Sequence, residues 1–319
     1  MCKSLSVITF GEAMAMFYAR ECGDLQEVTS FSKALAGAES NVAVGLCRLG
    51  HSTGYVTKLG DDNLGKFIID AQTREGIDTS RITFTKEHAT GLLMKSNVSS
   101  GDPKVEYFRK NSAASTLSVG DFDETYFASA RHLHVTGISA ALSPSMLEFS
   151  HFAIDFMKKQ GKTVSLDPNL RPVLWPDKDT MASTINSLAA KCDWFLPGIG
   201  EAKILTGLSH PEEIADYYLN LGVSLVVIKM GPQGAYYKFR QTKGFAPGFR
   251  VDHVVDTVGA GDGFATGVIS GMLEDLGVHE SVSRGNAIGA LAIQSQGDMD
   301  GLPTRDELER FMASAVLTK

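Results

Sequence analysis

Cysteine is scarce in this chain, with four residues in 319, and no two of them form a CxxC pair or a metal-binding spacing. A disulfide framework and a zinc site are therefore not expected, and four reduced thiols, the first of them Cys2, fit the cytoplasm. No apolar run approaches the ~20 residues that a membrane helix needs. The N-terminus runs into Gly11 without the long apolar segment of a signal peptide, so we expect a cytoplasmic protein without a membrane partner.

Basic runs are also missing. Thirty Lys and Arg residues stand against 37 Asp and Glu, a formal net charge of −7, so nucleic acid is not an expected partner. The sequence GxxxxGK[ST] does not occur, so nucleotide binding by a P-loop is not expected. A small anionic substrate would need local positive groups, because the overall charge does not attract it.

Short β-rich runs alternate with longer helical patterns along the chain. Several of the β-rich runs are almost continuous in Val, Ile and Leu, which is typical of strands covered by helices on both faces. The alternation predicts an α/β fold with a doubly wound, mostly parallel sheet, in a single domain over residues 1–319. The predicted strands are 4–10, 53–58, 132–136, 163–167, 194–196 and 225–229, and the predicted helices are 40–49, 64–75, 145–159, 181–191, 214–221, 261–276 and 282–294.

Two segments interrupt this alternation, at about 13–31 and 91–111. The second contains the runs 92–98 and 104–109 around a polar turn at 99–103, which is a hairpin pattern. We expect a small sheet that projects from the core and acts as a lid, keeping water away from a bound substrate.

The most informative segment spans residues 256–267, DTVGAGDGFATG. Gly259, Ala260 and Gly261 expose their backbone N–H groups at the start of a predicted helix, where the helix dipole favours a phosphate. Asp262 on the first turn could take a proton from an incoming hydroxyl. The pattern indicates phosphoryl transfer to an alcohol. The alternative is a glycine-rich turn before a core helix, with Asp262 as its N-terminal cap.

A second segment, residues 36–43, mixes small residues with polar ones before another predicted helix. Such a turn lets a polyhydroxylated ligand come close, and Asn41 can both donate and accept hydrogen bonds. The alternative is an ordinary capped core helix.

Two arginines are candidate ligands for a carboxylate. Arg171 follows a predicted strand in the loop 167–172, at the sheet edge where ligands of open α/β sheets bind. Tyr107 and Arg109 lie on the expected lid. The alternatives are a solvated salt bridge for Arg171 and, for Tyr107 and Arg109, a cross-strand aromatic with an exposed charge. Two arginines at one site would suit a sugar acid better than a neutral hexose.

A further loop follows the strand 225–229. Lys229 could neutralise phosphate charge, and Gly231 and Gly234 fit a loop that lies under a nucleotide. A plain hairpin turn explains these glycines nearly as well.

Taken together, the segments at 36–43 and 256–267 resemble the two signatures of the ribokinase-like (PfkB) carbohydrate kinases. The resemblance implies a three-layer α/β/α core with a small β-sheet lid, ATP as phosphoryl donor and Mg²⁺, with K⁺ as a further candidate ion. It assigns Asp262 as catalytic base and residues 259–261 as the anion hole, and it implies a homo-oligomer formed through the lid. It further implies these roles: Glu201 for organising Mg²⁺, Asn286 for the adenine side, and Asp256 and Thr257 for a monovalent cation.

Within that family, the stretches at 37–41, 107–114, 167–175 and 297–304 resemble the branch that phosphorylates 2-keto-3-deoxygluconate. The branch implies transfer to the terminal hydroxyl of 2-dehydro-3-deoxy-D-gluconate; fructose and 5-dehydro-2-deoxygluconate kinases are the alternatives, and a non-catalytic sugar-binding protein is another. Leu93 and Gly198 depart from the family, which has Tyr and Asn there. The substrate contacts that the resemblance implies are Gly37, Tyr107, Arg109, Arg171, Asp262 and Asp298, and Asn41 is added from its own segment.

Overall fold

The computed structural model describes residues 4–98, 103–240, 242–295 and 297–318. Its strands are β1 (Leu5–Phe10), β2 (Met14–Ala19), β3 (Phe31–Ala36), β4 (Thr53–Gly60), β5 (Asp78–Thr85), β6 (Leu92–Lys95), β7 (Val105–Phe108), β8 (Ala130–Thr136), β9 (Thr163–Asp167), β10 (Trp194–Phe195), β11 (Leu225–Lys229), β12 (Gly234–Phe239) and β13 (Thr242–Pro247). Its α-helices are α1 (Ala38–Arg48), α2 (Asn63–Arg74), α3 (Glu124–Ala128), α4 (Gly137–Leu142), α5 (Pro144–Lys159), α6 (Lys178–Ala189), α7 (Ile199–Thr206), α8 (Pro211–Asn220), α9 (Ala260–Leu273), α10 (Val278–Ala292) and α11 (Arg305–Ser314).

Among the described residues, nine strands form the large sheet, in the order β13-β12-β11-β10-β9-β8-β1-β4-β5. Every neighbouring pair from β11 to β5 is parallel, whereas β12 and β13 join antiparallel at one edge. The mostly parallel α/β sheet predicted from the sequence is therefore confirmed. The hairpin alternative for the loop after β11 also holds, since β11 and β12 pair through it.

Alternate residues of one strand show how helices cover both faces of the sheet. In β11, Val226 and Ile228 belong to the hydrophobic cluster that contains the buried residues of α5, α6 and α8. Leu225 and Val227 belong to the opposite cluster, which contains buried residues of α1 and α9. Because side chains alternate across a strand, this continuous apolar run fills two cores at once.

The small sheet has four strands in the part of the chain that the structure describes, in the order β3-β2-β6-β7. Strands β6 and β7 pair antiparallel, as the hairpin pattern predicted, and β2 and β6 pair parallel. Residues 99–102 of the predicted turn, like Cys2, lie outside the described residues. Strand β3 runs to Ala36, beyond the predicted boundary at 31, because its last residues Leu35 and Ala36 are buried in the sheet.

Several helices begin earlier than predicted because a cap residue precedes them. Ser143 caps α5, with Pro144 at its first position, and Asp177 caps α6 by accepting from the N–H of Thr180. No helix in the described part of the chain is long and apolar enough to cross a membrane.

Candidate active site

A cavity of about 340 Å³ opens at the carboxyl ends of the parallel strands, between the large sheet and the small one. Strands β9 and β11 end at its wall with Asp167 and Lys229, and the small sheet contributes Leu93 and Tyr107. All the predicted substrate contacts line it: Gly37, Asn41, Tyr107, Arg109, Arg171, Asp262 and Asp298. Their roles as ligands remain predictions, but the fold brings them to one place.

Asp262 lies on the first turn of α9 and is 8% exposed. Its two carboxylate oxygens accept hydrogen bonds from amide side chains, Oδ2 from Asn41 Nδ2 at 2.8 Å and Oδ1 from Asn169 Nδ2 at 3.2 Å. Burial raises the pKa of Asp262 to about 7, against the hydrogen bond from Asn41, which lowers it. The cap alternative is wrong, because Gly259 is the N-cap and the Asp262 carboxylate faces these partners. A carboxylate with a pKa near 7 is suited to general-base work.

The turn before α9 is shaped for backbone approach. Gly259 has a left-handed φ of 82°, and a Cβ there would lie 2.3 Å from the carbonyl oxygen of Asp298. Gly259 and Gly261 line the cavity, and Ala260 lies between them as the first residue of α9. Because the first N–H groups of a helix lack intrahelical acceptors, this turn can bind an anion beside Asp262.

Lys229 is held next to this turn by an ion pair. Its Nζ lies 2.6 Å from Asp167 Oδ2, and a Cβ on Gly261 would be 3.6 Å from the same Nζ. Burial opposes the ammonium charge, but Asp167 and Glu201 outweigh it and raise the pKa of Lys229. A fixed positive charge therefore faces the predicted anion hole.

Glu201 caps α7 and also lines the cavity, and its role in organising Mg²⁺ stays a prediction. Its Oε2 accepts from the N–H of Gly198 at 2.7 Å, capping α7, and its Oε1 accepts from the N–H of Leu170 at 2.8 Å. The same side chain lines the cavity with Asp167. In the described ranges no group of three or more His, Cys, Asp or Glu could hold a metal ion alone. The carboxylates of Asp167 and Glu201 fit Mg²⁺ that arrives with phosphates, because Mg²⁺ keeps several waters and uses one or two protein carboxylates.

The two arginines differ in their partners. The Arg171 guanidinium donates to the carbonyl oxygen of Leu170 at 3.0 Å, and it has no carboxylate partner among the residues with described positions. Arg109 is 9% exposed, and its Nη2 lies 2.5 Å from Glu12 Oε2. Burial raises the pKa of Glu12, against Arg109 and Ser112, which lower it. Arg109 therefore has a protein partner already, whereas the surface salt bridge considered for Arg171 is not formed.

The remaining nucleotide-side residues lie outside the cavity that contains Asp262. Asn286 donates to the carbonyl oxygens of Ala246 and Pro247 at 2.9 and 3.1 Å, so its side chain fixes the end of β13. Gly231 and Gly234 bound a short 3₁₀ turn, Gly231–Gln233, with φ of 59° and 115°. A second cavity of about 410 Å³ borders this turn and is lined by Met230, Gln233, Phe245, Pro247 and Thr318.

The predicted monovalent-cation residues border a lysine. Asp256 Oδ2 contacts Lys95 Nζ, and Asp256 Oδ1 accepts from the N–H of Val258 at 3.0 Å. Thr257 lines the cavity that contains Asp262.

Three buried acids and an amide at the site were not singled out from the sequence: Glu12, Glu39, Asp167 and Asn169. Glu39 is 1% exposed and accepts from Thr136 Oγ1 and Ser139 Oγ, both at 2.6 Å. The available signal was a polar residue inside an apolar or small-residue run, as at Glu12 and Glu39. The departure at Leu93 is filled by packing, since its side chain is 4% exposed at the cavity wall.

Known proteins are similar to this chain in sequence and in fold. The chain is 57% identical over 311 residues to the 2-dehydro-3-deoxygluconokinase of Bacillus subtilis (strain 168), covering 97% of this chain and 96% of that protein. The crystal structure of a PfkB protein from Polaromonas sp. JS666 superposes with a TM-score of 0.89 at 47% identity, covering 96% and 99% of the two chains.

A fructokinase double mutant from Vibrio cholerae O395, solved with fructose, ADP and a potassium ion, has a TM-score of 0.84 at 27% identity, covering 98% and 99% of the two chains. These neighbours confirm the ribokinase-like fold, and that complex shows nucleotide and metal-ion binding in a related enzyme. The pfkB family carbohydrate kinase model matches residues 4–305. The chain therefore belongs to the pfkB family of carbohydrate kinases.

Proposed function

We propose that this kinase transfers the γ-phosphoryl group of ATP to the terminal hydroxyl of 2-dehydro-3-deoxy-D-gluconate, giving the 6-phosphate and ADP. The observation that carries the proposal is the buried carboxylate of Asp262, with a pKa of about 7, beside the glycine turn at the start of α9. An acid poised near neutral pH, next to backbone donors for a phosphate, fits phosphoryl transfer to an alcohol.

In the proposed reaction the sugar hydroxyl lies against Asp262. Its oxygen forms a bond to the γ-phosphorus, the bond from that phosphorus to the β,γ-bridging oxygen breaks, and the hydroxyl proton passes to the Asp262 carboxylate. Asn41 and Asn169 hold both carboxylate oxygens in place by hydrogen bonds. This fixed orientation supports the proposal, because positioning provides much of the catalysis in phosphoryl transfer.

Charge on the transferring group is met by two features in this proposal. The N–H groups of Gly259–Gly261 serve as preorganised donors, and Lys229 adds a fixed ammonium beside them. Mg²⁺ would be held by the ATP phosphates, with the Asp167 and Glu201 carboxylates as partners of its waters, and its chemistry there is neutralisation of phosphate charge. We assign the cavity beside the Gly231–Gln233 turn to the adenine, with Asn286 as a support of its wall.

The substrate class rests on the arginines. The Arg171 guanidinium lies at the cavity wall without a carboxylate partner in the described part of the chain, and a bidentate contact with a substrate carboxylate would satisfy it. Arg109 and Tyr107 reach the same cavity from the small sheet, and the Nε of Arg109 is a buried donor without an acceptor among the described residues. The guanidinium of Arg171, which has no carboxylate partner among the described residues, supports a sugar acid over fructose. The Bacillus subtilis relative is named for the 2-dehydro-3-deoxy acid.

We propose a cytoplasmic enzyme that associates through the small sheet. Tyr107 and Phe108 on its edge strand β7 are 42% and 54% exposed, which supports an interface there.

The test is ADP release by the purified chain with Mg·ATP and a panel of acceptors. We expect the highest kcat/KM with 2-dehydro-3-deoxy-D-gluconate, a lower value with 5-dehydro-2-deoxygluconate and a much lower one with fructose. A preference for fructose would refute the two-arginine argument. Absence of turnover with every acceptor would refute the kinase proposal itself.

A further inference from the structure

Lys95 is the last residue of β6 in the small sheet, and its side chain is 3% exposed. Its ammonium contacts Asp256 Oδ2 and lies 3.1 Å from Asp298 Oδ1. Each carboxylate is also nearly buried, at 7% exposure. One lysine of the lid is therefore shared by two acids of the core.

Both acids contact the glycine turn, residues 258–261 at the start of α9. Asp256 Oδ1 accepts from the N–H of Val258 at 3.0 Å, which fixes the residue before Gly259. The carbonyl oxygen of Asp298 packs against Gly259 so closely that a Cβ would lie 2.3 Å away. Both residues therefore contact the turn of the predicted anion hole, Asp256 through its carboxylate and Asp298 through its backbone carbonyl.

The charges need a cation at this place. Two buried carboxylates without a partner would repel each other and the incoming phosphates, and an unpaired buried charge is strongly destabilising. Lys95 neutralises one of the two charges and touches both groups. The arrangement does not fit a K⁺ ion on Asp256, because one carboxylate oxygen is used by Val258 and the other by Lys95.

We propose that Lys95 is a positioning residue that serves as a built-in cation for the glycine turn, so that the enzyme needs no monovalent metal ion. The inference rests on the proposed function for its kinetic readout. Lys95 couples lid closure to catalysis, because the ammonium that orders the turn is carried on β6 of the lid.

The first experiment uses the wild-type enzyme. ADP release is measured in potassium chloride and in choline chloride at equal ionic strength, and we expect the same kcat in both. A clear dependence of the wild-type kcat on K⁺ would overturn the proposal, whatever the variants do.

The second experiment uses Lys95→Ala, which leaves room for an ion between the two carboxylates. We expect kcat to fall by about 10- to 100-fold in choline chloride and to recover in part with K⁺ or ammonium ions. The matched control is Lys104→Ala, which removes the exposed lid ion pair of Lys104 with Asp24 at 2.7 Å. The control should keep the wild-type kcat and show no response to K⁺.

A binding measurement separates the two proposals. The rise in melting temperature on adding Mg²⁺ and a non-hydrolysable ATP analogue needs no sugar, so it tests Lys95 even if the acceptor is misassigned. We expect this rise to shrink in Lys95→Ala and to be restored by ammonium ions. A folded Lys95→Ala enzyme with normal nucleotide binding, or with losses that no small cation restores, would contradict the role.

Discussion

Replacement of Asp262 by Asn should stabilise the protein at high pH while removing its catalytic base. Asp262 is 8% exposed, so solvent screens its charge little. Burial raises its pKa from an ordinary 3.8 to about 7. A group with a raised pKa favours the folded state at low pH, and that contribution disappears as the pH rises through the folded value. Asn carries no charge at any pH, so it avoids this loss.

The size of the effect follows from the pKa. A pKa difference of one between the folded and unfolded states corresponds to about 1.4 kcal/mol of folding free energy. The rise of the Asp262 pKa from 3.8 to about 7 therefore corresponds to ~4 kcal/mol of lost stability above pH 7. Asn can accept only one of the two hydrogen bonds from Asn41 and Asn169, which costs about 1–2 kcal/mol at every pH. Between about pH 5 and pH 8, the stability of Asp262→Asn relative to wild type should therefore rise by ~3 kcal/mol.

Urea unfolding of both proteins at the two pH values measures this difference, and all other titrating groups cancel in it. A relative stability that stays constant with pH, or that falls as the pH rises, would refute the assignment of a raised pKa to Asp262.

Three further results are expected. Arg171→Ala should raise the KM for the sugar acid with little change in kcat, because the variant loses about 1.5–3 kcal/mol of binding free energy. An unchanged KM would show that Arg171 does not bind the substrate. Gly259→Ala should lower kcat by at least about 100-fold, since a Cβ would meet the Asp298 carbonyl; the matched control is Gly161→Ala, a glycine with φ of 68° and open space around it, which should keep its activity. The kcat/KM for the sugar acid should fall about tenfold per pH unit below pH ~7 as Asp262 takes up a proton, and a flat profile down to pH ~5 would contradict a base with that pKa.

Much of this fold can be predicted from local sequence patterns. The nearly continuous apolar run at β11 predicted a buried parallel strand at its observed bounds, because a strand covered on both faces carries mostly apolar side chains. The bounds of β9 were also predicted, although Thr163, Ser165 and Asp167 interrupt its apolar residues. Strand β5 was missed, since most of its residues are partly exposed at the sheet edge and show no such run. Pairing partners such as β2 with β6 are set by tertiary contacts, which no single segment contains.

The site was predictable where one short segment carries the chemistry. Glycines and an acid at the start of a helix are enough to predict Asp262 and its turn from the sequence alone. The ion pair of Lys95 with Asp256 joins residues 161 positions apart, and the pair of Arg109 with Glu12 likewise depends on how the small sheet meets the core. Such partners follow from the packing of distant segments, so spacing along the chain could not reveal them.

Turnover by Asp262→Asn, measured alongside binding of both substrates, tests the assignment of the base most directly. We expect the variant to bind Mg·ATP and 2-dehydro-3-deoxy-D-gluconate with near wild-type affinity and to lose at least about 100-fold in kcat. A variant that binds both substrates and keeps a kcat close to that of the wild type would contradict proton transfer to Asp262.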